Sequence, residues 1–142
     1  MTIPYSRQFI DKKDIKTVVK VLKSDFITQG PNVSIFEKNV SKFVGSKFAV
    51  AISSASAGLH LSCIALGLKK NDILWTVPNT FVASASCGLH CGAKIDFVDI
   101  DIKTNNISLD KLKIKLIKAK KLNKLPKILV PVHFSGQPTL QD

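Results

Sequence analysis

The sequence contains very little arginine and no long apolar segment. Arg7 is the only arginine among 21 basic residues. Proteins that read nucleic acids depend on arginine for bidentate contacts with bases and phosphates, so we do not expect nucleic-acid binding as the main function. No run of about 18 apolar residues exists, which predicts that no helix spans a membrane. The first residues become charged too early for a secretory signal.

Cysteine and acidic residues are also few. Three cysteines, Cys63, Cys87 and Cys91, cannot form a closed disulfide framework, and a reducing cytoplasm is therefore the expected location. Ten acidic residues oppose 21 basic ones, which leaves a net charge of +11. A positive field of this size favours anionic partners but does not specify which anion. With 142 residues, 45% of them hydrophobic, the chain is long enough for one domain with a core.

Apolar runs and amphipathic segments alternate along the chain, which predicts an α/β fold with a mostly parallel sheet. Short apolar runs predict strands at residues 48–52, 73–77, 94–98 and 128–132. Helical spacing predicts intervening helices at residues 59–68, 81–91 and 108–121. Two amphipathic helices, at residues 11–24 and 32–44, precede the first strand. We therefore divide the chain 1–142 into a helical arm over 1–45 and the start of an α/β sheet over 46–142.

The last residues have the pattern of a helix that has just begun. Residues 133–138 are typical of a loop, and residues 139–142 of a helix cap and first turn. A chain ending there would leave a new sheet edge uncovered. We therefore expect this sequence to be the N-terminal part of a longer protein.

The segment 53–58 is the strongest candidate for a binding site. Its small residues lie between a predicted buried strand and a helix, where free backbone amides and the helix dipole can bind a phosphate together with the hydroxyls of Ser54 and Ser56. The glycines of the dinucleotide-binding motif and the Gly-Lys of the P-loop are missing. An alternative is a nucleophile elbow, with Asp99 or Asp101 and His133 completing a triad.

Two further patterns allow other interpretations. Cys87, His90 and Cys91 fall on one helical face at spacings that zinc ligands use. The helix is apolar and lies between strands, however, where cysteine is commonly a small core residue. The lysine-rich segment 111–127 carries Leu109, Leu112, Leu116 and Ala119 on one face, so it fits a core-facing helix with a solvated basic back. A helix that binds a membrane surface or an acidic partner is the alternative.

Several segments together resemble the DegT/DnrJ/EryC1/StrS family of sugar-nucleotide aminotransferases. Those segments are Ile-Pro-Tyr-Ser at 3–6, Leu-Lys-Ser-Asp-Phe-Ile-Thr-Gln-Gly-Pro at 22–31, Ser-Ser-Ala-Ser-Ala-Gly-Leu-His at 53–60, Pro-Asn-Thr-Phe-Val-Ala at 78–83 and Pro-Val-His-Phe-Ser-Gly-Gln-Pro at 131–138. Within the family, the first two are most similar to the transaminases of pseudaminic acid synthesis, which act on a UDP-linked 4-keto-6-deoxy-N-acetyl-hexosamine. The family usually has Gly-Thr where this chain has Ala55-Ser56.

The resemblance implies a homodimeric enzyme of fold type I that depends on pyridoxal 5'-phosphate (PLP), with glutamate as amino donor. It assigns the cofactor phosphate to Ala55, Ser56 and Ala57 and stacking on the cofactor ring to Phe81. It assigns the nucleotide-sugar substrate to a further group of residues: Tyr5, Asp25, Phe26, Ile27 and Thr28. The Schiff-base lysine and the acid at the ring nitrogen are expected beyond residue 142, so we predict no catalytic residue and no metal ligand within these residues. A dehydratase of the same family and a non-catalytic basic α/β binding module are the alternatives.

Overall fold

In a computed structural model, which describes residues 3–4 and 6–140, the chain forms two compact units that divide after Ala51. The first unit contains helices α1 (Lys12–Leu22) and α2 (Pro31–Val44). The second contains three further helices and three strands: α3 (Ala55–Ala65), β1 (Ile73–Thr76), α4 (Ala83–His90), β2 (Lys94–Phe97), α5 (Leu109–Lys121) and β3 (Ile128–Leu129). Within the described residues, no helix combines the length and the apolar character needed to cross a bilayer.

The helices of the first unit begin and end at strong local signals. Asp11 caps α1 by accepting from the N–H groups of Lys13 and Asp14, and the Asp14 side chain accepts from the Asp11 N–H in return. Pro31 is the first residue of α2, where its missing N–H costs nothing. Gly45 ends α2 in the left-handed conformation at φ 70°. Both helices confirm the sequence prediction, although neither contains a buried residue.

The sheet of the second unit is parallel, with strand order β2-β1-β3. Leu74 and Trp75 of the central strand β1 point to opposite faces, as successive strand residues must, and each belongs to a separate core cluster. On the α3 and α4 side, the cluster contains Cys63, Leu68, Leu74, Cys87, Ala93 and Ile128. On the α5 side, it contains Trp75, Val77, Val98, Ile107 and Ala119. The predicted α/β class and parallel sheet are confirmed.

Four predicted elements differ from the structure. The strand expected at 48–52 is wrong, because this segment pairs with no strand in the described part of the chain, and the side chains of Phe48 and Val50 remain 76% and 75% exposed. The strand expected at 128–132 is only Ile128–Leu129. The helix expected from Leu59 begins at Ala55 instead, because the side chain of Ser54 caps it. Of the helix expected at 139–142, Thr139 and Leu140 are not helical, and the last two residues lie outside the described ones.

Candidate functional site

The N-terminus of α3 presents free backbone amides. The Ser54 side chain accepts a hydrogen bond from the Ala57 N–H at 3.2 Å, and the Ser54 carbonyl accepts from the Gly58 N–H at 3.1 Å. The N–H groups of Ala55 and Ser56 have no partner within the described residues. These two amides, at the positive end of the helix dipole, can bind a phosphate.

The side chains around these amides leave room for a ligand. Ala55 and Ser56 are exposed, Ala57 is half-buried, and the first turn of α3 contains no acidic residue that would repel an anion. Ser56 adds a hydroxyl donor beside its own amide. Of the three residues predicted to bind the phosphate, Ala55 and Ser56 therefore have free amides, whereas the Ala57 amide is used by the helix cap.

Ile52 and Gly58 are in close contact where the chain enters α3. A Cβ atom added to Gly58 would lie 2.4 Å from the Ile52 Cδ1 atom, so any larger residue would displace that side chain.

Phe81 lies in the loop that follows β1, with its side chain 74% exposed. It is therefore not a core residue. Its carbonyl accepts from the Ser84 N–H at 3.0 Å, and the Thr80 and Ser84 hydroxyls lie 2.8 Å apart, which fixes the loop at the start of α4. The ring is available to cover the face of a flat ligand.

The topology brings the α3 N-terminus and the Phe81 loop to the same edge of the sheet. Helix α3 leads into the amino end of β1 and runs back along it, so the start of α3 lies near the carboxyl ends of the strands. Phe81 follows β1 at that same edge. Ligands of α/β proteins bind at the carboxyl ends of the strands.

His133 also follows a strand at this edge, but it does not form a triad. Its Nδ1 atom accepts from the Thr139 N–H at 3.0 Å. This nitrogen therefore carries no proton that it could donate to the carboxylate of a triad. Asp99 is paired with Lys111, and Asp101 accepts from the N–H groups of Lys103 and Thr104 at 2.8 and 3.0 Å. These contacts argue against the nucleophile-elbow alternative.

The same contacts lower the pKa values of both aspartates. The hydrogen bond from Lys111 is the main cause of the lowered pKa of Asp99. Backbone N–H groups of Thr104 and Lys103 are the main causes for the pKa of Asp101. Both carboxylates are therefore charged at neutral pH and act within their own turns rather than as proton donors.

The zinc hypothesis is wrong for the described residues, which hold no group of three possible metal ligands. Cys87 is buried in the core, with its thiol 3.4 Å from the Ser84 carbonyl. Burial, followed by a hydrogen bond and charge repulsion from Cys87, raises the pKa of the Cys63 thiol to about 12. These cysteines are small core residues and not thiolate ligands.

The positive charge of the lysine-rich face of α5 is partly neutralised by ion pairs. Lys111 pairs with Asp99, and Lys115 pairs with Asp96 at 2.8 Å. Ala119 is buried and Leu112 and Leu116 are half-buried, which confirms the core-facing stripe. Leu109 at the start of the helix is 42% exposed.

Asn106 contributes to this end of the sheet, although no sequence pattern predicts a role for it. Its buried side chain donates to the carbonyls of Gln137 and Pro138 at 3.0 and 3.1 Å and accepts from the Phe134 N–H at 2.9 Å. These three bonds hold the loop that follows β3, where Ser135 adopts φ 51°. Because its partners are distant in sequence, no local pattern could have identified Asn106.

Four of the five residues predicted to contact the substrate lie in the first unit, between α1 and α2. Asp25, Phe26, Ile27 and Thr28 are all exposed. The Ser24 hydroxyl donates to the carbonyls of Val21 and Phe26, and Gly30 approaches Phe26 so closely that an added Cβ would lie 2.7 Å from the Phe26 Cβ. Tyr5 lies outside the described residues.

The chain is similar to known proteins over most of its length. The model of the DegT/DnrJ/EryC1/StrS aminotransferase family matches residues 8–141. The UDP-4-amino-4,6-dideoxy-N-acetyl-beta-L-altrosamine transaminase of Campylobacter jejuni (serotype O:23/36) is 41% identical over 116 residues, which are 82% of this chain and 30% of that protein. The chain spans about a third of the length of the curated relatives it matches.

Two solved structures show the same fold. The PLP form of Spr1654 from Streptococcus pneumoniae has a TM-score of 0.85 at 28% identity, covering 98% of this chain and 34% of that one. Helicobacter pylori PseC, an aminotransferase involved in the biosynthesis of pseudoaminic acid, has a TM-score of 0.81 at 29% identity, covering 96% and 35%. The chain belongs to the DegT/DnrJ/EryC1/StrS aminotransferase family.

Proposed function

We propose that this chain contributes the phosphate-binding part of a PLP site in a sugar-nucleotide aminotransferase. The observation that carries the proposal is the N-terminus of α3, where the amides of Ala55 and Ser56 lack partners within the described residues and no acid occupies the first turn. A phosphate dianion supplies acceptor oxygens for these donors and compensates the helix dipole. The family and a PLP-form structural neighbour support the choice of cofactor.

Each residue of the site has a separate task in the proposal. The Ala55 and Ser56 amides bind the phosphate, the Ser56 hydroxyl donates to one of its oxygens, and the small side chain of Ala57 leaves space for it. The exposed ring of Phe81 stacks on the cofactor ring and excludes water from that face. Asn106 holds the loop after β3 at the same edge of the sheet. When bound, the cofactor supplies an electron sink for breaking and forming bonds to the amino nitrogen.

For the whole protein, the proposal is the transfer of an amino group from glutamate to a UDP-linked 4-keto-6-deoxy-N-acetyl-hexosamine. The activity for which the Campylobacter relative is named and the segment 22–31 support this substrate class. Tyr5 and residues 25–28 are proposed to contact the nucleotide sugar. The cofactor-binding lysine is proposed to lie outside these 142 residues, and homodimer formation and a cytoplasmic location remain predictions.

Equilibrium dialysis of the chain with pyridoxamine 5'-phosphate tests the cofactor site. This form lacks an aldehyde, so it cannot react with the many surface lysines. Saturable binding of one equivalent is expected, with much weaker binding of pyridoxamine, which has no phosphate. Equal binding of the two compounds would contradict the phosphate site. Formation of the 4-amino sugar nucleotide by the full-length gene product, with glutamate consumed, tests the reaction.

A further inference from the structure

A groove lies beside α5, on the face of the sheet that carries Trp75. Its volume is about 530 Å³, within the range of about 300–1,000 Å³ that is typical of small-molecule sites. Its lining extends from Lys111 in the first turn of α5 to Leu122 at the helix end, about 16 Å along the helix axis. The groove is therefore elongated, and the residues that line it do not include those of the phosphate site proposed at α3.

The floor of the groove is apolar. Ile73 and Trp75 of β1 line it together with the buried Ala119 of α5. Ile114 and Leu122 also line it, and their side chains are 67% and 56% exposed, so a ligand can reach them. Because contact with such side chains removes apolar surface from water, this floor favours the hydrocarbon part of a ligand.

The charged residues of the groove are mostly positive. Four of the lining residues are lysines and one is an acid: Lys111, Lys115, Lys118, Lys124 and Asp96. Two of the lysines are paired, Lys111 with Asp99 and Lys115 with Asp96. Lys118 and Lys124 form no ion pair within the described part of the chain. Their ammonium groups are therefore available to the acceptor oxygens of an anion.

The carboxylate of Asp96 does not oppose such an anion, because Lys115 compensates its charge. Burial has the largest influence on this carboxyl and by itself would raise its pKa, but hydrogen bonds from Lys115 and the Phe97 N–H hold the pKa below its ordinary value. The Lys115 ammonium also donates to the Phe97 carbonyl and lies 4.8 Å from the centre of the Trp75 ring, which keeps it beside Asp96. The uncompensated charge of the groove is thus that of Lys118 and Lys124.

We infer that this groove binds an amphipathic organic anion, and that a long-chain carboxylate is the class of ligand that fits it. The hydrocarbon chain lies along α5 against the apolar floor, and the carboxylate oxygens accept hydrogen bonds from the Lys118 and Lys124 ammonium groups. The positive lining selects an anion over a cation or a neutral lipid, and the elongated shape selects an extended chain over a compact ring system.

Trp75 reports on the groove directly, because the sequence contains one tryptophan. Titration of the chain with dodecanoate, below its micelle concentration, should change the fluorescence and the indole N–H chemical shift of Trp75 in a saturable way. Dodecyltrimethylammonium has the same chain length and the opposite charge, and it should bind at least roughly tenfold more weakly. Equal binding of the two compounds would overturn the inference. So would binding of dodecanoate, measured by equilibrium dialysis, that leaves both Trp75 signals unchanged.

A pair of double variants tests the lysines of the groove. Lys118→Gln combined with Lys124→Gln should weaken dodecanoate binding roughly tenfold. Lys113→Gln combined with Lys120→Gln is the matched control, because it removes the same charge from α5 at residues that do not line the groove, and it should bind as the wild type does. An equal loss in both double variants would overturn the inference.

Two further measurements complete the test. Binding of the chain to phosphatidylglycerol vesicles without binding of free dodecanoate would place these lysines at a membrane surface and overturn the inference. If circular dichroism shows that the Lys118 and Lys124 double variant is unfolded, Lys124→Gln alone replaces it, because Lys124 lies outside α5. The expected loss of dodecanoate affinity is then about threefold, and no loss would contradict the inference.

Discussion

Helices α3 and α5 begin in nearly the same way, yet only one of the two beginnings fits an anion site. Both have a serine N-cap: Ser54 accepts from the Ala57 N–H at 3.2 Å, and Ser108 accepts from the Lys111 N–H at 3.4 Å. The difference lies in the first turn, which contains Asp110 in α5 and no acidic residue in α3. In α5 the chain's own carboxylate compensates the helix dipole, whereas in α3 the dipole is left for a ligand.

The residues around the starts of α3 and α5 also differ in how far they leave the helix N-terminus free for a ligand. The Ser108 N–H donates to the Asp99 carbonyl, and the Asp99 side chain pairs with Lys111 in the first turn of α5. The start of α5 is therefore bonded to the turn that precedes it. At α3, the exposed residues Ala55 and Ser56 leave the amides accessible. We therefore expect a capped helix N-terminus to bind an anion only where neighbouring residues leave its charge and space uncompensated.

The largest expected effect comes from removing one amide at each helix start. In Ala55→Pro the N–H at the first helical position is lost, while the helix persists because proline is well accepted there and Ser54 is already extended, at φ -162° and ψ 159°. A lost hydrogen bond to a charged group costs about 1.5–3 kcal/mol. Affinity for pyridoxamine 5'-phosphate, measured by equilibrium dialysis, should therefore fall roughly 10- to 100-fold.

Leu109→Pro is the control for that substitution, because it places proline at the first position of α5. Its affinity for pyridoxamine 5'-phosphate should equal that of the wild type. A similar loss of affinity in both variants would remove the distinction between the two helix starts.

Removing each cap should have a moderate effect on stability. Ser54→Ala and Ser108→Ala each lose a side-chain hydrogen bond to the first turn, so the free energy of unfolding should fall by about 1 kcal/mol in both. Denaturant unfolding followed by circular dichroism measures this loss. A loss at Ser108 with no loss at Ser54 would mean that the Ser54 cap contributes nothing to the fold.

A smaller effect is expected from exchanging the charge of the first turn. Ala57→Asp places an acid in the first turn of α3 and should stabilise that helix by about 0.3–1 kcal/mol, whereas Asp110→Asn should destabilise α5 by a similar amount. Affinity for pyridoxamine 5'-phosphate should fall in Ala57→Asp, because the carboxylate repels the phosphate, and stay unchanged in Asp110→Asn. Tighter binding by Ala57→Asp would contradict the electrostatic argument.

The smallest effect concerns the pH dependence at the start of α5. Lys111 holds the pKa of Asp99 below its ordinary value, so this pair stabilises the fold above the unfolded pKa, and the contribution is lost as the pH falls through the folded pKa. Below about pH 4, stability of the wild type should fall more steeply with decreasing pH than that of Asp99→Asn. Unfolding curves between pH 2 and 6, a range chosen around the usual aspartate pKa, measure the difference, and parallel curves would contradict the pairing.

Local signals in the sequence were sufficient for most of the helices. Asp11, Pro31 and Gly45 mark helix ends through their own backbone and side-chain chemistry, and the structure places them there. Strands β1 and β2 were predicted equally well from apolar runs. These elements depend on residues within a few positions of each other, which is the range that a sequence pattern covers.

Features that depend on distant partners could not be predicted in the same way. The apolar run at 48–52 indicates a buried environment but does not supply the neighbouring strand that would pair with it. Asn106 bonds to residues 28 to 32 positions away. At the candidate site, the family resemblance predicts that residues 55–57 bind a phosphate, but only the structure shows that the cap already uses the Ala57 amide.

Backbone amide chemical shifts of the chain, recorded during titration with pyridoxamine 5'-phosphate, test whether the phosphate binds at the start of α3 and not at the start of α5. We expect saturable shifts that are largest at the amides of Ala55 and Ser56, with no comparable change at Leu109 and Asp110 in the first turn of α5. Pyridoxamine without the phosphate should leave the same amides unmoved. Saturation with the largest shifts elsewhere, or equal shifts at the starts of α3 and α5, would contradict it.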